Sequence, residues 1–237
     1  MILCLDAGNS RLKYGFHETA GGWLLRGAIT YDELDQLSCE RSRQPDRMIA
    51  CNVAGERGRQ CIDALARTFA LETTWIASTA FACGVTNHYQ QPAQLGADRW
   101  AALIGARALH EQAAVVVMAG TATTVDALDA SGHFLGGLIL PGLPLMRSAL
   151  ARNTAGLPEA CGTFQSCPTN TDDAIVSGAI QATLGAIDRL RLTLGSHVAC
   201  IISGGNAAEL VPHIAAPCRP VDDLVLEGIL RWALSPD

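Results

Sequence analysis

The chain has 237 residues, of which 49% are hydrophobic and 17% charged, and its formal net charge is −6. That length can bury a full core, and the apolar content excludes an intrinsically disordered protein. The acidic balance and scattered arginines argue against a nucleic-acid-binding face and toward a small-molecule partner.

Ile2–Asp6 reads as a short buried strand, and Leu12–Phe16 and Trp23–Ile29 as the next two, with Gly21-Gly22 in the reversal between them. Tyr31–Leu37 is a short helix candidate, Arg47–Val53 a strand, Glu56–Phe69 an amphipathic helix and Thr73–Ser78 another strand. Residues 79–97 are polar and glycine-bearing and read as a long functional loop, after which Asp98 can cap a helix to about His110. The opening pattern then returns, with strands over 113–118, 123–128 and 133–139 and a break at Pro141-Gly142. Helices follow from Leu143 to about Arg152 and from about Asp172 to Leu194. A buried strand, Val198–Ser203, ends in Gly204-Gly205; Asn206–Val211 is a short helix and Asp223–Ala233 a last one. The predicted class is α/β, with an N-terminal lobe over 1–111 and a C-terminal lobe over 112–237. Their shared strand-and-crossover order is either a true duplication or a likeness of pattern alone.

No apolar run reaches the roughly 18 residues of a membrane span, and no basic segment precedes the first strand, so the expected location is cytoplasmic. The nine cysteines (4, 39, 51, 61, 83, 161, 167, 200 and 218) form no CxxC and read as reduced structural thiols. Cys161 and Cys167 are the pair to check first for oxidation. The six histidines form no HxH or HExxH group, and Ser78, Ser177 and Ser203 lack a G-x-S-x-G elbow.

The only lysine, Lys13, lies in Asp6-Ala7-Gly8-Asn9-Ser10-Arg11-Leu12-Lys13. A carboxylate at a strand end, then small residues with spare backbone N–H groups, then cations, suits a turn that holds a metal-bound polyphosphate. Asp6 would repel phosphate unless a divalent cation, best Mg²⁺, lay between them. The plainer account is a hairpin turn with surface cations. Gly120-Thr121-Ala122-Thr123-Thr124 repeats the plan and is no P-loop, because GxxxxGK[ST] is absent. Its N–H and hydroxyl groups suit the far side of a phosphate chain, with Asp126 a better second metal candidate than Asp129. The alternative is that threonine simply favours strands.

Gly96-Ala97-Asp98-Arg99 opens a helix. Asp98 is either a cap or a carboxylate that accepts a hydroxyl proton as that oxygen attacks a γ-phosphoryl group. Arg99 is either a surface residue or the grip on an acidic acceptor. Gly204-Gly205-Asn206 suits close backbone approach to a ligand, or else a tight strand-to-helix turn.

Together these motifs resemble the type III pantothenate kinases, the family that includes the Bvg accessory factor proteins. The likeness runs through Asp6-x-Gly8-Asn9-Ser10 with Lys13, then Asn87-x-Tyr89-x-x-Pro92-x-x-Leu95-Gly96-x-Asp98-Arg99 and Gly120-Thr121-Ala122-x-Thr124-x-Asp126. It continues through Gly136-Gly137-x-Ile139-x-Pro141-Gly142, Asn170-Thr171-x-x-Ala174-Ile175-x-x-Gly178 and Ser203-Gly204-Gly205-Asn206. The resemblance implies two similar lobes of the actin-like ATPase (ribonuclease H-like) fold around a central nucleotide cleft. It also implies ATP-dependent phosphorylation of the primary hydroxyl of pantothenate, the first step toward coenzyme A. Asp98 then resembles the catalytic base, and Asp6 through Lys13 the ATP phosphate site. Thr121 with Gly120, and Gly204-Gly205-Asn206, serve ATP from the second lobe. Tyr89, Gly96, Ala97, Arg99 and Thr171 resemble the pantothenate contacts. Members are usually homodimers, so Thr171 can serve a neighbouring subunit's pocket.

One position departs from the pattern. The family commonly has an Asp before the Ala-Gly-Thr turn that helps hold K⁺ or NH₄⁺, and this chain has Met118. A thioether is a poor ligand for hard cations, so the expected monovalent-cation stimulation is weak or absent. Two other functions compete with the leading one: a non-catalytic accessory protein that kept the nucleotide site, and a superfamily kinase acting on another small hydroxy compound.

Overall fold

The computed structural model describes residues 1–19, 21–38, 40 and 43–235; Cys39, read above as a reduced thiol, lies outside the described residues. In chain order the elements begin with β1 (Ile2–Ala7), β2 (Leu12–Glu18), β3 (Gly22–Ile29), α1 (Leu34–Ser38), β4 (Arg47–Asn52) and α2 (Gly55–Phe69). Next come β5 (Thr73–Trp75), β6 (Phe81–Ala82), β7 (Val85–Asn87), α3 (Ala97–Leu109), β8 (Ala114–Ala119), β9 (Ala122–Leu128) and β10 (His133–Pro141). The last are α4 (Leu143–Asn153), α5 (Thr171–Leu194), β11 (Ala199–Ser203), α6 (Ala207–Leu210), β12 (Cys218–Pro220) and α7 (Leu224–Leu234).

The chain divides into two compact units. The first comprises Met1–Glu111, Gly132–Phe134 and Asp223–Asp237; the second comprises Gln112–Ser131 and Leu135–Asp222. The first unit is built on a sheet in the order β3-β2-β1-β4-β5, with β1 antiparallel to β2 and parallel to β4. All of β1 is buried, which explains its unbroken apolar run: a central strand covered on both faces has no polar alternation. Leu3, Leu5, Leu12 and Phe16 pack with Ile62 and Leu65 of α2. Helices α3 and α7 pack closely on each other, and α7 also contacts β1, β2 and β4. In the second unit the strand order is β12-β11-β8-β9-β10, and Val115, Val117 and Ile202 pack against Val176, Ile180 and Ile187 of α5.

Most expected elements recur with shifted ends, but three readings need correction. The stretch 79–97 is not a plain loop: it holds the hairpin β6–β7, turned by Cys83 and Gly84 at φ 51° and 76°. Two successive positive φ values are what a tight hairpin requires. β7 continues into parallel pairing with His133 and Phe134 of β10. Asp98 does not cap α3; Gly96 holds that position, and Asp98 lies inside the first turn. The terminal helix, placed by a cut at 111/112 with the second lobe, belongs to the first unit, because Leu226, Ile229 and Leu230 are buried there beside α3. The short strand β12 was not expected: three residues ending in a proline carry no readable alternation.

Candidate active site

The β1–β2 connection is a tight turn closed by the Gly8 N–H donating to the Arg11 carbonyl at 3.1 Å. The Tyr31 hydroxyl anchors it from outside, donating to the Gly8 carbonyl at 2.6 Å. Asn9, Ser10 and Arg11 are exposed at its tip, whereas Ala7 and Leu12 are buried in the core. Of the predicted phosphate-turn residues, Ala7 and Leu12 can therefore offer a ligand only their backbone. Strand register places Lys13 opposite Asp6. The Lys13 Nζ lies 3.6 Å from an Asp223 carboxylate oxygen, at the left-handed residue (φ 52°) that begins α7.

Asp6 is buried at the end of β1, and the Cys51 thiol beside it on β4 donates to its Oδ1 at 3.2 Å. Burial pushes the Asp6 carboxyl up to about 6 from an ordinary 3.8, while the Lys13 charge and the Cys51 hydrogen bond pull it back. The thiol stays protonated, because burial and the Asp6 charge push its pKa well up. A buried carboxylate that prefers neutrality is one that a hard cation would stabilise. Among the described residues no three metal-ligating side chains cluster, so a divalent cation here would draw its other oxygens from phosphate and water.

The raised Asp6 value carries a stability consequence. The folded state holds the proton more tightly than the unfolded chain, so this group's contribution is fully present below about pH 4 and lost as pH rises through about 6. Asp6→Asn removes that cost. It is expected to stabilise the ligand-free protein by on the order of 3 kcal/mol above pH 7, with the gain vanishing near pH 4. Urea unfolding of both proteins at the two pH values checks this; a gain independent of pH would contradict it.

The N-terminus of α3 carries the second cluster of the first unit. Asp98 is partly buried, its Oδ1 accepts the Arg99 N–H at 2.8 Å, and burial raises its pKa against the pull of that bond and of the Arg99 charge. Its charge in turn raises Asp6, so the two carboxylates feel each other. A Cβ on Gly96 would meet the Asp98 Oδ1 at 2.7 Å, which makes glycine the residue that fits there. Arg99 is buried, and its Nη1 donates to the Tyr89 hydroxyl at 2.9 Å. The Tyr89 loop is held by Asn87, whose Oδ1 accepts the Tyr89 N–H at 3.0 Å and whose Nδ2 donates to Ser78 Oγ at 3.0 Å. Asp6, Lys13, Asp98, Arg99, Tyr89, Gly96 and Ala97 thus fall in one unit.

The second unit gathers its own predicted residues. The Gly120 N–H donates to Ala122 O at 3.0 Å, closing the β8–β9 turn, and the Thr121 carbonyl accepts the Gly142 N–H at 2.9 Å. Asn206 donates through Nδ2 to the Gly120 carbonyl at 2.9 Å and through its backbone N–H to the Ala119 carbonyl at 3.0 Å. Gly204 adopts φ 106°, and a Cβ there would meet Ala119 O at 2.5 Å. Gly120, Thr121, Gly204, Gly205 and Asn206 therefore form one glycine-bearing edge. Met118 pairs in register with Thr124, and Asp126 is buried two residues farther along β9. Thr171 takes the first position of α5, where it lines an apolar cavity of about 1060 Å³ with Met146, Leu150 and Ile175.

Sequence reasoning missed Cys51, Asp223, Tyr31 and Phe134. None belongs to a motif, and each reaches its partner only through strand pairing or helix docking.

A family model described as type III pantothenate kinase matches residues 2–192. The chain is 46% identical over 238 residues to a type III pantothenate kinase of Dechloromonas aromatica (strain RCB), covering 99% of each. Among solved structures it is similar to a conserved protein assigned to the Baf family of transcriptional activators from Campylobacter jejuni. That likeness has a TM-score of 0.64 and 20% identity and covers 97% of this chain and 96% of the other. It is also similar to the activator of 2-hydroxyisocaproyl-CoA dehydratase from Clostridium difficile with bound ADPNP, with a TM-score of 0.56 and 12% identity over 98% and 92% of the two chains. These structural likenesses show a shared fold alone. With the near-full-length match in sequence, they lead to one assignment: the chain belongs to the type III pantothenate kinase family.

Proposed function

We propose that the chain transfers the γ-phosphoryl group of ATP to the primary hydroxyl of pantothenate, giving 4′-phosphopantothenate and ADP, with Asp98 as the base. The observation that carries this reading is the pairing, within one unit, of the Asp6–Lys13 turn with a partly buried carboxylate whose pKa is raised. Asp98 orients the attacking hydroxyl and takes its proton late, as phosphoryl transfer requires of a carboxylate. Arg99, held by Tyr89, takes the acceptor's carboxylate, and Gly96 and Ala97 let the acceptor lie against the backbone. Thr171 supplies a further hydroxyl to pantothenate.

The Gly8-Asn9-Ser10 turn, Arg11 and Lys13 hold phosphate oxygens, as do Gly120 and Thr121; Gly204, Gly205 and Asn206 take the nucleoside. Mg²⁺ bound with ATP would supply the countercharge that lets phosphate lie beside Asp6. A coupled ADP-release assay with and without pantothenate tests the reading. Release that requires pantothenate supports it; release indifferent to pantothenate would favour an accessory role.

Met118 is the basis of a further expectation. Its thioether offers no hard donor, so replacing K⁺ by tetramethylammonium is expected to change kcat/KM less than about twofold. A loss of tenfold or more would contradict it. We also read the enzyme as a cytoplasmic homodimer. The dimer is supported by the exposed apolar residues Leu138, Ile139, Leu145 and Leu150, the last beside the Thr171 cavity, and the location by the cysteine pattern.

A further inference from the structure

Asp223 breaks two local rules at once. It stands just before the first turn of α7, where an aspartate ordinarily caps the helix, yet its side chain makes no capping hydrogen bond. Its backbone lies in the left-handed region, at φ 52° and ψ 45°, which strains any L residue although aspartate tolerates it better than most. The carboxylate instead meets Lys13, whose Nζ is 3.6 Å away, and each of the two side chains is only 25% exposed. The close backbone approach of α7 to α3 at Gly105 and Gly228 fixes the helix that carries Asp223.

Lys13 has a second carboxylate within reach. It stands directly opposite Asp6 on the antiparallel β1–β2 pair, so both side chains leave the same face of the sheet with Cβ atoms about 5 Å apart. A lysine stem spans that gap, and a buried carboxylate attracts an ammonium group strongly. Among the described residues, however, Asp223 is the carboxylate within ion-pair distance of Nζ, and Asp6 takes the Cys51 thiol instead. The charges of Lys13 and Asp223 both act on Asp6, so the three groups share one electrostatic neighbourhood.

We propose that Asp223 is a positioning residue for the phosphate turn: it draws the Lys13 ammonium group off Asp6, so that the lysine does not close the Asp6 carboxylate against a hard cation. A forgone cap and a left-handed backbone are what it takes to set a carboxylate at that point. The proposal rests on the reading that the β1–β2 turn receives the phosphates of ATP with their cation.

The test uses Asp223→Asn, which keeps the size and tolerates the left-handed backbone, and Asp223→Gly, which relieves it. Lys13 is the only lysine, so protein labelled with [ε-¹³C]lysine gives one NMR signal that reports its surroundings without ligand or turnover. At a fixed pH above 7, Asp6→Asn is expected to move that signal about twofold farther in the Asp223→Asn protein than in the otherwise wild-type one, because only there does the ammonium group rest on Asp6. Equal displacements would overturn the proposal. In steady-state kinetics the KM for Mg²⁺-ATP is expected to rise about tenfold in both Asp223 variants, while the KM for pantothenate stays within about twofold. Asp223→Gly should melt no lower than the wild type, so that a defect shared by both variants belongs to the lost carboxylate and not to the fold. A KM for Mg²⁺-ATP that falls, as mere removal of negative charge beside phosphate would give, or a wild-type value in the glycine variant, would overturn the proposal. Wild-type protein with no pantothenate-dependent turnover would instead overturn the functional reading, and the lysine signal would still decide where Lys13 rests.

Discussion

Asp98→Asn is expected to lower pantothenate-dependent ADP release by about 10²- to 10³-fold, within the range that a positioned general base contributes. The change is nearly isosteric, and the amide oxygen can still accept the Arg99 N–H that Asp98 Oδ1 accepts at 2.8 Å. The helix start should therefore survive, and the melting temperature should stay close to that of the wild type. The KM for ATP should change little, since the proposed phosphate turn keeps Asp6 and Lys13. The pH profile offers a second check. Burial raises the Asp98 pKa, and catalysis needs the carboxylate, so the wild-type rate falls as pH drops through a value above the ordinary carboxylate range. Asp98→Asn should lose that acid limb from its residual activity. A variant with near-wild-type turnover would remove Asp98 from the chemistry.

The second large effect is on stability. Helices α3 and α7 meet at two glycines. A Cβ on Gly228 would lie 1.7 Å from the Ala101 carbonyl oxygen, and one on Gly105 would lie 2.6 Å from that of Leu224. Both obstacles are backbone atoms, so no rotamer change relieves them. Gly228→Ala is expected to cost about 3 kcal/mol, the upper end of ordinary overpacking, and to lower the melting temperature by roughly 6–12 °C. Alanine is otherwise the better helix former by about 1 kcal/mol, so a surface glycine would give the opposite sign. Gly178 of α5, whose Cβ would meet nothing within 4 Å, is the control: Gly178→Ala should be neutral or stabilising. Calorimetry on both variants decides the matter, and equal effects would contradict the close packing of α3 on α7.

What could be read in advance followed from local chemistry. The buried run of β1, the glycine turns and the break at Pro141-Gly142 write their structure in a few adjacent residues. The turn between β1 and β2 was legible because the small residues Gly8-Asn9-Ser10 directly follow the buried apolar run. The hairpin β6–β7 was not legible: its strands are two and three residues long, too short for alternation to register. Asp98 was misplaced as a cap because its residue type fits that role, whereas the backbone turns into the helix two residues earlier, at Gly96. The return of α7 to the first unit could not be seen either. Its apolar face specifies burial but not which sheet buries it, and the Gly105–Gly228 approach is specific only in three dimensions. Phe134 and Cys51 owe their neighbours to strand register, which no single segment encodes.

The central claim is that pantothenate is phosphorylated on its primary hydroxyl, with its carboxylate end held by Arg99. The most direct measurement is ³¹P NMR of the product, with proton coupling retained, alongside ADP quantified in the same sample. One phosphomonoester per ADP, its phosphorus coupled to the two protons of a CH₂–O group, is the predicted result. A phosphate on the secondary hydroxyl, an acyl phosphate on the carboxylate, or ADP matched only by free phosphate would contradict it.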